Sequence, residues 1–441
     1  MTTYVPLARL LAATSLAGDD AVDLVRIPHL PAMMLSPTKR SLLYVLLLWV
    51  STCAPLLAQK KDDDEIQKLK KGDPYTKQDP EAMKALGVVS YGPFPWADHF
   101  TTADVDKVLG EGRVLWMETE HFRLGFNLKT SSLPDVSEER KSVIAECKAL
   151  NKKWRKFPAK PKKLGPWIRV HLYAQRCERS YVEFADLVGA TDKTFDKNGK
   201  TNGTGPYLGL PGKFLLMMFQ KKSDMARYLS RFCNDTKADE SWRHFHDKTG
   251  QLVLCISQEG MEGFDAQGLH GHMSYAMWQN MLNGYRGYHY PLPLWFSTGI
   301  AHYYSRQIKT KFVNANIRDT ESVDRDTQNK WALKVLRRSK HEGATMSFDQ
   351  LSAIDDWDKF GYHAHLQSWS RIDYLMHLDK SKVGLMIDKL KSVPGTGDWD
   401  AQGKQLQKML PKLLFNVFDL DGETFDANWR KWVLKTYPKR K

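Results

Sequence analysis

The segment LHGHMSYAMWQNMLNGYRGYHYPLPLWFSTGIAHYYSR, from Leu269 to Arg306, is the most informative stretch of this 441-residue chain. Its pattern predicts two helices, Leu269–Met281 and Leu294–Gln307. Helical patterns continue towards the C-terminus, where the predicted helices are Gln328–Ser339, Tyr362–Leu378, Ser381–Ser392, Gly403–Phe418 and Thr424–Thr436. The chain beyond residue 260 is therefore predicted to be mostly helical.

Strands and helices alternate before residue 260. Val114–Phe126 alternates apolar and polar residues, which predicts one long or two short strands. The elements predicted after it are the helix Ser137–Lys156, the strand Trp167–Tyr173, the helix Glu178–Leu187, the strand Lys213–Phe219, the helix Ser223–Phe232 and the strand Gln251–Ser257. We therefore expect an α+β fold, with a mixed β-sheet subdomain over 113–260 and a helical subdomain over 261–441.

The predicted helix pair resembles the active-site helices of gluzincin metallopeptidases, the thermolysin and aminopeptidase-like family, in its exported bacterial form. In that family the first helix carries HExxH, and a second helix with the pattern Trp-x-x-Glu-Gly-x-Ala supplies another Glu. Two His residues four apart share one helical face and can bind one zinc ion, while the intervening Glu polarises the metal-bound water. The resemblance implies a zincin-like fold, with Gln251–Ser257 as the edge strand beside the substrate.

The departures from the family pattern decide what the resemblance implies about activity. If His270 matches the first His, Gly271 stands at the Glu, Ser274 at the second His and Thr298 at the downstream Glu. The general base and two of the three zinc ligands are then missing, and a single imidazole does not hold zinc. The resemblance therefore implies a pseudopeptidase without catalytic residues or a bound metal.

A second hypothesis rebuilds a metal site from other histidines. His302 lies one turn beyond Thr298, so in this hypothesis His270 and His302, with or without His272, together bind zinc and support a metal-dependent hydrolase. The competing interpretation is that these histidines are hydrogen-bonded or solvated groups of a collapsed site. His363 and His365, at a predicted helix start, are expected to cap the helix or face solvent.

The N-terminal region has the parts of an export signal. Lys39-Arg40 precedes the apolar run Leu42–Val50, and the apolar character continues to the small residue Ala58, after which cleavage would occur. Residues 1–58 are thus a leader and signal peptide, with the true start expected at Met33 or Met34. A membrane anchor is the alternative for the same segment. Residues 59–112 are expected to form a charged linker with perhaps one short helix.

Composition narrows the choice of partner and location. The excess of Lys and Arg over Asp and Glu gives a net charge of +14, but no zinc-knuckle or RNP-type motif accompanies it, so nucleic acid is not favoured. We expect a secreted or periplasmic protein of the cell envelope that contacts the membrane only through its signal. Its partner is expected to be a polypeptide or an anionic envelope polymer. The alternative function for this chain is that of a structural or adhesive protein of the envelope.

Four cysteines remain after the signal segment, and the sequence does not decide their state. Cys147, Cys177, Cys233 and Cys255 allow three disulfide pairings in an oxidising compartment, of which Cys233 with Cys255 is the first to test. Small buried thiols are the alternative.

Overall fold

A computed structural model describes residues 72–191, 193–195, 203–235, 241–261, 266–310 and 330–438. The expected signal segment, residues 39–58, lies outside the described residues, as do the first residues of the helix predicted to begin at Gln328. Within the described ranges, no helix has both the length and the apolar character needed to cross a membrane.

In the described residues nine strands belong to three sheets, the largest of which is mixed. The strands are β1 (Pro95–Trp96), β2 (Phe100–Thr101), β3 (Leu115–Glu118), β4 (Phe122–Asn127), β5 (Ser131–Ser132), β6 (Lys163–Leu164), β7 (Phe214–Phe219), β8 (Ser241–His246) and β9 (Gln251–Ser257). The five-stranded sheet has the order β3-β4-β7-β9-β8, in which β7 runs parallel to both β4 and β9, and the two outer pairs are antiparallel. β9 is therefore an interior strand, and the expectation that Gln251–Ser257 forms the edge is wrong; β8 is the edge strand on that side.

Helices make up most of the chain after residue 260, as predicted. The helices are α1 (Pro80–Leu86), α2 (Thr102–Leu109), α3 (Ser137–Lys153), α4 (Pro166–Val188), α5 (Lys222–Phe232), α6 (Ala266–Gly284), α7 (Leu294–Ile308), α8 (Trp331–Ser339), α9 (Phe348–Ser352), α10 (Tyr362–Lys391), α11 (Trp399–Phe418) and α12 (Gly422–Thr436). α10 is bent at Asp379, whose backbone is extended, so the two helices predicted there meet at that residue. The fold is mixed α/β with a mixed sheet and a helical C-terminal region.

One predicted strand is wrong. Trp167–Tyr173 forms the first half of helix α4, which begins at Pro166 after Gly165. Proline suits the first turn of a helix because the amide hydrogen that it lacks has no partner there. Arg169 and His171 alternate with Ile168, Val170 and Leu172, which gives the segment the period of a strand. Every residue from Trp167 to Ala174 is nevertheless buried in the helix, including these two polar side chains.

The expected charged linker also proves wrong over the part that the structure describes. Residues 72–112 contain α1, α2 and the β1–β2 hairpin, and Trp96 and Val105 are fully buried. Asp73 is buried too, and its carboxylate lies 2.8 Å from Nε2 of His171 on α4. Acidic and basic residues predicted a solvated segment, but this segment also supplies aromatic side chains that the sheet needs to cover one face.

Both faces of the five-stranded sheet are buried, and successive residues of β7 alternate between two hydrophobic cores. Phe214, Leu216 and Met218 belong to the main core, whereas Leu215, Met217 and Phe219 belong to a second core covered by α2 and α5. The main core contains residues from both sides of position 260, including side chains of α4, α6, α7 and α10. The predicted boundary at residue 260 therefore does not separate two cores.

The four cysteines of the described residues are buried free thiols in these two cores. Cys147 and Cys177 lie in the main core, and Cys233 and Cys255 lie in the second core. Burial raises the pKa of Cys147 to about 11 and that of Cys233 to about 12, which keeps both thiols protonated. Of the two interpretations of these four cysteines, disulfides or buried thiols, the structure supports buried thiols.

Candidate functional site

Helices α6 and α7 pack directly against each other, as the helix pair requires. The rings of Trp278 and Tyr304 stack with their centroids 3.4 Å apart. Gly271 lies where a Cβ atom would come within 3.8 Å of Lys309 and of the Ser305 carbonyl at the end of α7. Residues 285–293 connect the two helices, and they bring Thr298 and His302 to a face of α7 that α6 covers.

The residue of α6 that meets this face of α7 is Tyr275. Its ring lies 4.7 Å from the ring of His302, and its hydroxyl lies close enough to Thr298 for that residue to affect the tyrosine pKa. Burial is the larger effect and raises the pKa of Tyr275 to about 12, while Thr298 and Gln279 lower it. Thr298 is fully buried.

His302 is paired with a histidine that sequence reasoning placed at the surface. Nε2 of His302 lies 3.0 Å from Nδ1 of His365, and both rings are almost completely buried. The expectation that His365 caps a helix or faces solvent is therefore wrong, because α10 places it against α7. Burial lowers the pKa of His365 to about 3 and that of His302 well below its usual range. Both rings are thus neutral at pH 7, and one donates a hydrogen bond to the other.

The far sides of both rings of this pair have no polar partner. Nδ1 of His302 and Nε2 of His365 are buried without a hydrogen bond. The ring of Trp331 lies 4.8 Å from His302, and Phe360 lies 4.8 Å from His365. The pair is therefore enclosed by aromatic side chains, which gives it the environment of a core residue rather than of a reactive group.

His270 lies at a different place, in the wall of a cleft that α3, α4, α6 and α7 form. We call this the His270 cleft; it has a volume of about 550 Å³ and is lined by Glu138, Glu139, Ser142, Ala145, Glu146, Ala149, Gln175, Arg179, Gln267, His270, Gln307 and Ile308. The His270 ring meets the Tyr173 ring edge to face at 6.4 Å. Burial, with Arg176 and Arg179 nearby, lowers the pKa of His270 well below its usual range. Its ring is neutral at pH 7.

Three side chains of the His270 cleft have buried polar atoms without a partner. They are Nδ1 of His270, Oε1 of Gln267 and Oε1 of Gln175. Each such atom costs about 1–3 kcal/mol unless it finds a hydrogen bond. His270 and Gln267 are both at least nine-tenths buried. The cleft therefore has hydrogen-bonding capacity that the described part of the chain does not use.

The charged groups of the cleft are paired. Glu138, Glu139 and Glu146 line the cleft together with Arg179, and Glu138 lies 2.8 Å from Nζ of Lys141. Glu146 accepts hydrogen bonds from both Arg176 and Arg179, and these charges hold its pKa below the usual range despite burial. Lys309 Nζ lies 3.2 Å from Glu139.

The positions of the zincin-like motif do not fit a zinc ion. Ser274 and Gly271 are buried in α6 and supply at best one hydroxyl, and Thr298 supplies another. Zinc sites use thiolate, imidazole or carboxylate ligands. The rings of His270 and His302, the two ligands of the rebuilt-site hypothesis, have separate neighbours: Tyr173 in one case, and Tyr275 with His365 in the other. Among the described residues no three His, Cys, Asp or Glu side chains are arranged to hold a metal ion.

Comparison with known proteins gives no further assignment. No protein family, no curated protein and no solved structure matches this chain. Function must therefore be inferred from the geometry of the described residues and from the motif positions.

Two partnerships outside the helix pair were missed at the sequence level. Nδ1 of His246 on β8 lies 3.3 Å from Asp98, an acidic neighbour 148 positions earlier in the chain. Arg338 donates to Nε2 of His363 over 2.7 Å. Neither contact has a local signal in the sequence, because tertiary packing alone brings these residues together.

Proposed function

We propose that this protein is an exported gluzincin-like pseudopeptidase that binds a polypeptide segment in the His270 cleft without cleaving it. The observation that carries the proposal is the set of unpartnered buried polar atoms on Gln175, Gln267 and His270 at the wall of an open cleft. The cleft has the size of a ligand site, since ligand pockets typically have volumes of about 300–1,000 Å³ and a few convergent polar groups.

The absence of catalysis rests on the chemistry of the motif positions. Gly271, Ser274 and Thr298 replace the base and two ligands that the resemblance leads one to expect. Positioned acid–base groups accelerate a reaction by about 10²–10⁴-fold. None of these three residues has a side-chain group that titrates near neutral pH. A protein with these three residues can keep a cleft that binds a polypeptide without the groups that would cleave it.

A polypeptide is the partner that suits the cleft best. An extended chain offers N–H donors to the glutamine oxygens of Gln175 and Gln267, and either a donor or an acceptor to the neutral His270 ring. Because Glu138, Glu139 and Glu146 are each paired with a cation, the lining is close to neutral and suits an uncharged segment. The same pairing leaves an anionic envelope polymer no unpaired cation in the described lining, and such a polymer would instead bind a basic surface elsewhere.

Fluorescence polarisation with two labelled octapeptides tests the proposal. One peptide alternates Ala and Ser, and the other alternates Ala and Glu. We expect the Ser peptide to bind, to remain intact during incubation, and to bind at least about tenfold more weakly to the Gln175→Leu/Gln267→Leu variant. The matched control is Gln279→Leu, which removes another buried glutamine of α6 whose amide donates to Tyr275 and does not line the cleft.

The competing functions give different results in the same experiment. Cleavage of the peptide that requires bound zinc, and that His302→Ala abolishes, would support the rebuilt metal site instead. Equal binding to the double variant and to the control, with complete loss in 0.5 M salt, would indicate charge-driven adhesion by the surface. Either result would contradict the proposed cleft.

A further inference from the structure

A second cavity lies at the end of α7, where Arg306 is buried between two tryptophans. The guanidinium carbon lies 4.0 Å from the centroid of the Trp331 ring and 5.1 Å from that of Trp369. Only 6% of Arg306 is exposed. Aromatic faces attract a cation, but they do not supply the hydrogen-bond acceptors that a guanidinium needs.

Arg306 forms no ion pair in the described part of the chain. Its Nε and Nη1 atoms are buried without a hydrogen-bond partner. Burial lowers the pKa of Arg306 to about 9, so the side chain still carries its charge at pH 7. An uncompensated buried charge costs several kcal/mol, and buried charges in proteins are ordinarily paired.

Other buried arginines of this protein show what a structural arginine has around it. Arg371 is fully buried and stacks on Trp429 at 4.1 Å, as Arg306 does on Trp331. Unlike Arg306, it donates to Asp426, to Gln367 and to a backbone carbonyl. Arg176 likewise is paired with Glu146. The unpaired state of Arg306 is therefore not the general rule for a buried arginine in this fold.

The cavity that Arg306 borders is large enough for a small ligand, and its lining combines apolar, aromatic and charged side chains. Its volume is about 460 Å³, and its lining residues are Tyr303, Arg306, Gln307, Thr310, Lys330, Ala332, Leu333, Trp369, Asp373 and Pro438. Tyr303, Leu333 and Trp369 give it an apolar and aromatic side. Lys330 adds a second cation.

We propose that this cavity binds a small organic carboxylate, whose carboxylate group takes the guanidinium of Arg306 and whose apolar body lies against Trp369, Tyr303 and Leu333. A planar guanidinium fork matches a carboxylate in geometry, and the ion pair gains strength where water is excluded. This site is separate from the His270 cleft, and the inference does not depend on the proposed polypeptide binding.

A singly charged organic acid fits better than inorganic phosphate. Asp373 also lines the cavity, and it accepts a hydrogen bond from Tyr437 over 2.9 Å. Its carboxylate would repel a doubly charged anion more strongly than a monoanion. The aromatic side of the cavity would be left uncovered by phosphate, which has no apolar body.

Isothermal titration calorimetry with phenylacetate tests the inference on the full chain. Phenylacetamide, which has the same ring and shape without the charge, and inorganic phosphate are the comparison ligands. We expect phenylacetate to bind, phenylacetamide to bind at least about tenfold more weakly, and Arg306→Met to weaken phenylacetate by about 10- to 100-fold. Leu333→Trp, which fills the cavity and keeps Arg306, is expected to abolish binding as well.

The matched control is Arg371→Met, followed by thermal unfolding without ligand. We expect Arg371→Met to lower the melting temperature because it leaves Asp426 unpaired, whereas Arg306→Met retains or raises it because an unpaired buried charge is removed. The inference would be overturned by equal affinity for phenylacetate and phenylacetamide, or by binding of phosphate alone. A loss of stability in Arg306→Met as large as in Arg371→Met would also overturn it, since Arg306 would then be a structural residue.

Discussion

Asp73 holds the first described segment of the chain onto helix α4. Its carboxylate accepts hydrogen bonds from the Tyr75 amide, the Thr76 and Tyr91 hydroxyls and the His171 ring. Burial opposes ionisation, but His171, Tyr91 and Tyr75 together outweigh it and lower the pKa of Asp73 to about 2 from 3.8. Because the folded pKa is the lower one, Asp73 stabilises the fold above about pH 4, and this contribution is lost as the pH falls towards 2.

Asp73→Asn should lower the free energy of unfolding by about 3 kcal/mol at pH 7, because a buried pair loses one partner. The measurement is urea unfolding of both proteins at a series of pH values. The difference between wild type and variant should shrink between pH 4 and pH 2, where Asp73 itself becomes protonated. A difference that is constant over this range would contradict the ionised state of Asp73.

The pair His302–His365 should make the protein sensitive to acid in a higher pH range. The pKa of both rings is lowered by burial, to about 3 for His365, whereas an exposed histidine titrates near 6.5. Between these pH values the two histidines are protonated in the unfolded chain but not in the folded chain. The free energy of unfolding therefore falls as the pH drops from 6.5 towards 3. The expected slope is about 1.4 kcal/mol per pH unit for each histidine.

Replacing one or both members of the pair separates two effects. His302→Leu should cost about 1–3 kcal/mol at pH 7, because Nδ1 of His365 loses its partner. His302→Leu/His365→Leu should recover most of that loss and should flatten the pH dependence of unfolding between pH 6.5 and 4. Denaturant unfolding of the three proteins at several pH values is the measurement. A double variant as acid-sensitive as the wild type would show that other groups control this range.

At the scale of elements, the contact of α7 with α10 depends on a glycine. A Cβ atom at position 299 would lie 2.5 Å from Ile372 and 2.6 Å from the carbonyl oxygen of Ser368, so α7 and α10 approach too closely for any side chain there. Gly271 on α6 is different, because its nearest neighbours would be 3.8 Å from a Cβ atom. Both glycines belong to the motif region, but packing explains only Gly299.

Gly299→Ala and Gly271→Ala should therefore have opposite effects. Gly271→Ala should raise the free energy of unfolding by about 0.5–1 kcal/mol, since alanine favours a helix over glycine. Gly299→Ala has the same gain in helix propensity, but it should lower the free energy of unfolding by about 1–3 kcal/mol because the added methyl group overpacks the contact between α7 and α10. Thermal or denaturant unfolding gives both signs. Stabilisation by Gly299→Ala would mean that α7 and α10 can move apart at little cost.

The whole molecule depends on a second core that the expected linker helps to build. Trp96 is fully buried there, its indole donates to the Tyr228 hydroxyl over 2.7 Å, and its ring lies 5.0 Å from that of Trp116. This core covers the face of the sheet opposite α4 and α6. Residues 72–112 are thus part of the folded unit and not a tether to it.

Trp96→Ala should lower the free energy of unfolding by about 3–5 kcal/mol, because it leaves a large cavity in the second core. Trp357→Ala is the control, since Trp357 is 42% exposed and its loss should cost less than about 1 kcal/mol. The two variants are compared by urea unfolding followed by far-UV circular dichroism. Equal and small effects would mean that residues 72–112 detach without affecting the rest of the fold.

Local pattern was sufficient for most elements of this protein. Strand β9 (Gln251–Ser257) has the predicted bounds, and Leu294 begins α7 as predicted. These segments carry their signals within a few residues: an apolar run between turn residues, or apolar positions at helical spacing. The same pattern failed at Trp167–Tyr173, because Arg169 and His171 alternate with apolar residues as they would in a strand, although the segment is a buried helix.

The amino-acid sequence by itself determined the alternation of strands and helices, the helix pair and the uncharged residues at Gly271, Ser274 and Thr298. Only the tertiary structure decided that His302 meets His365, that His270 borders a separate cleft, and that Arg306 lies unpaired between Trp331 and Trp369. The physical reason is range. Backbone preference and periodicity act over a few neighbouring residues, whereas a side chain's partner, its burial and its pKa depend on residues that packing brings from distant parts of the chain.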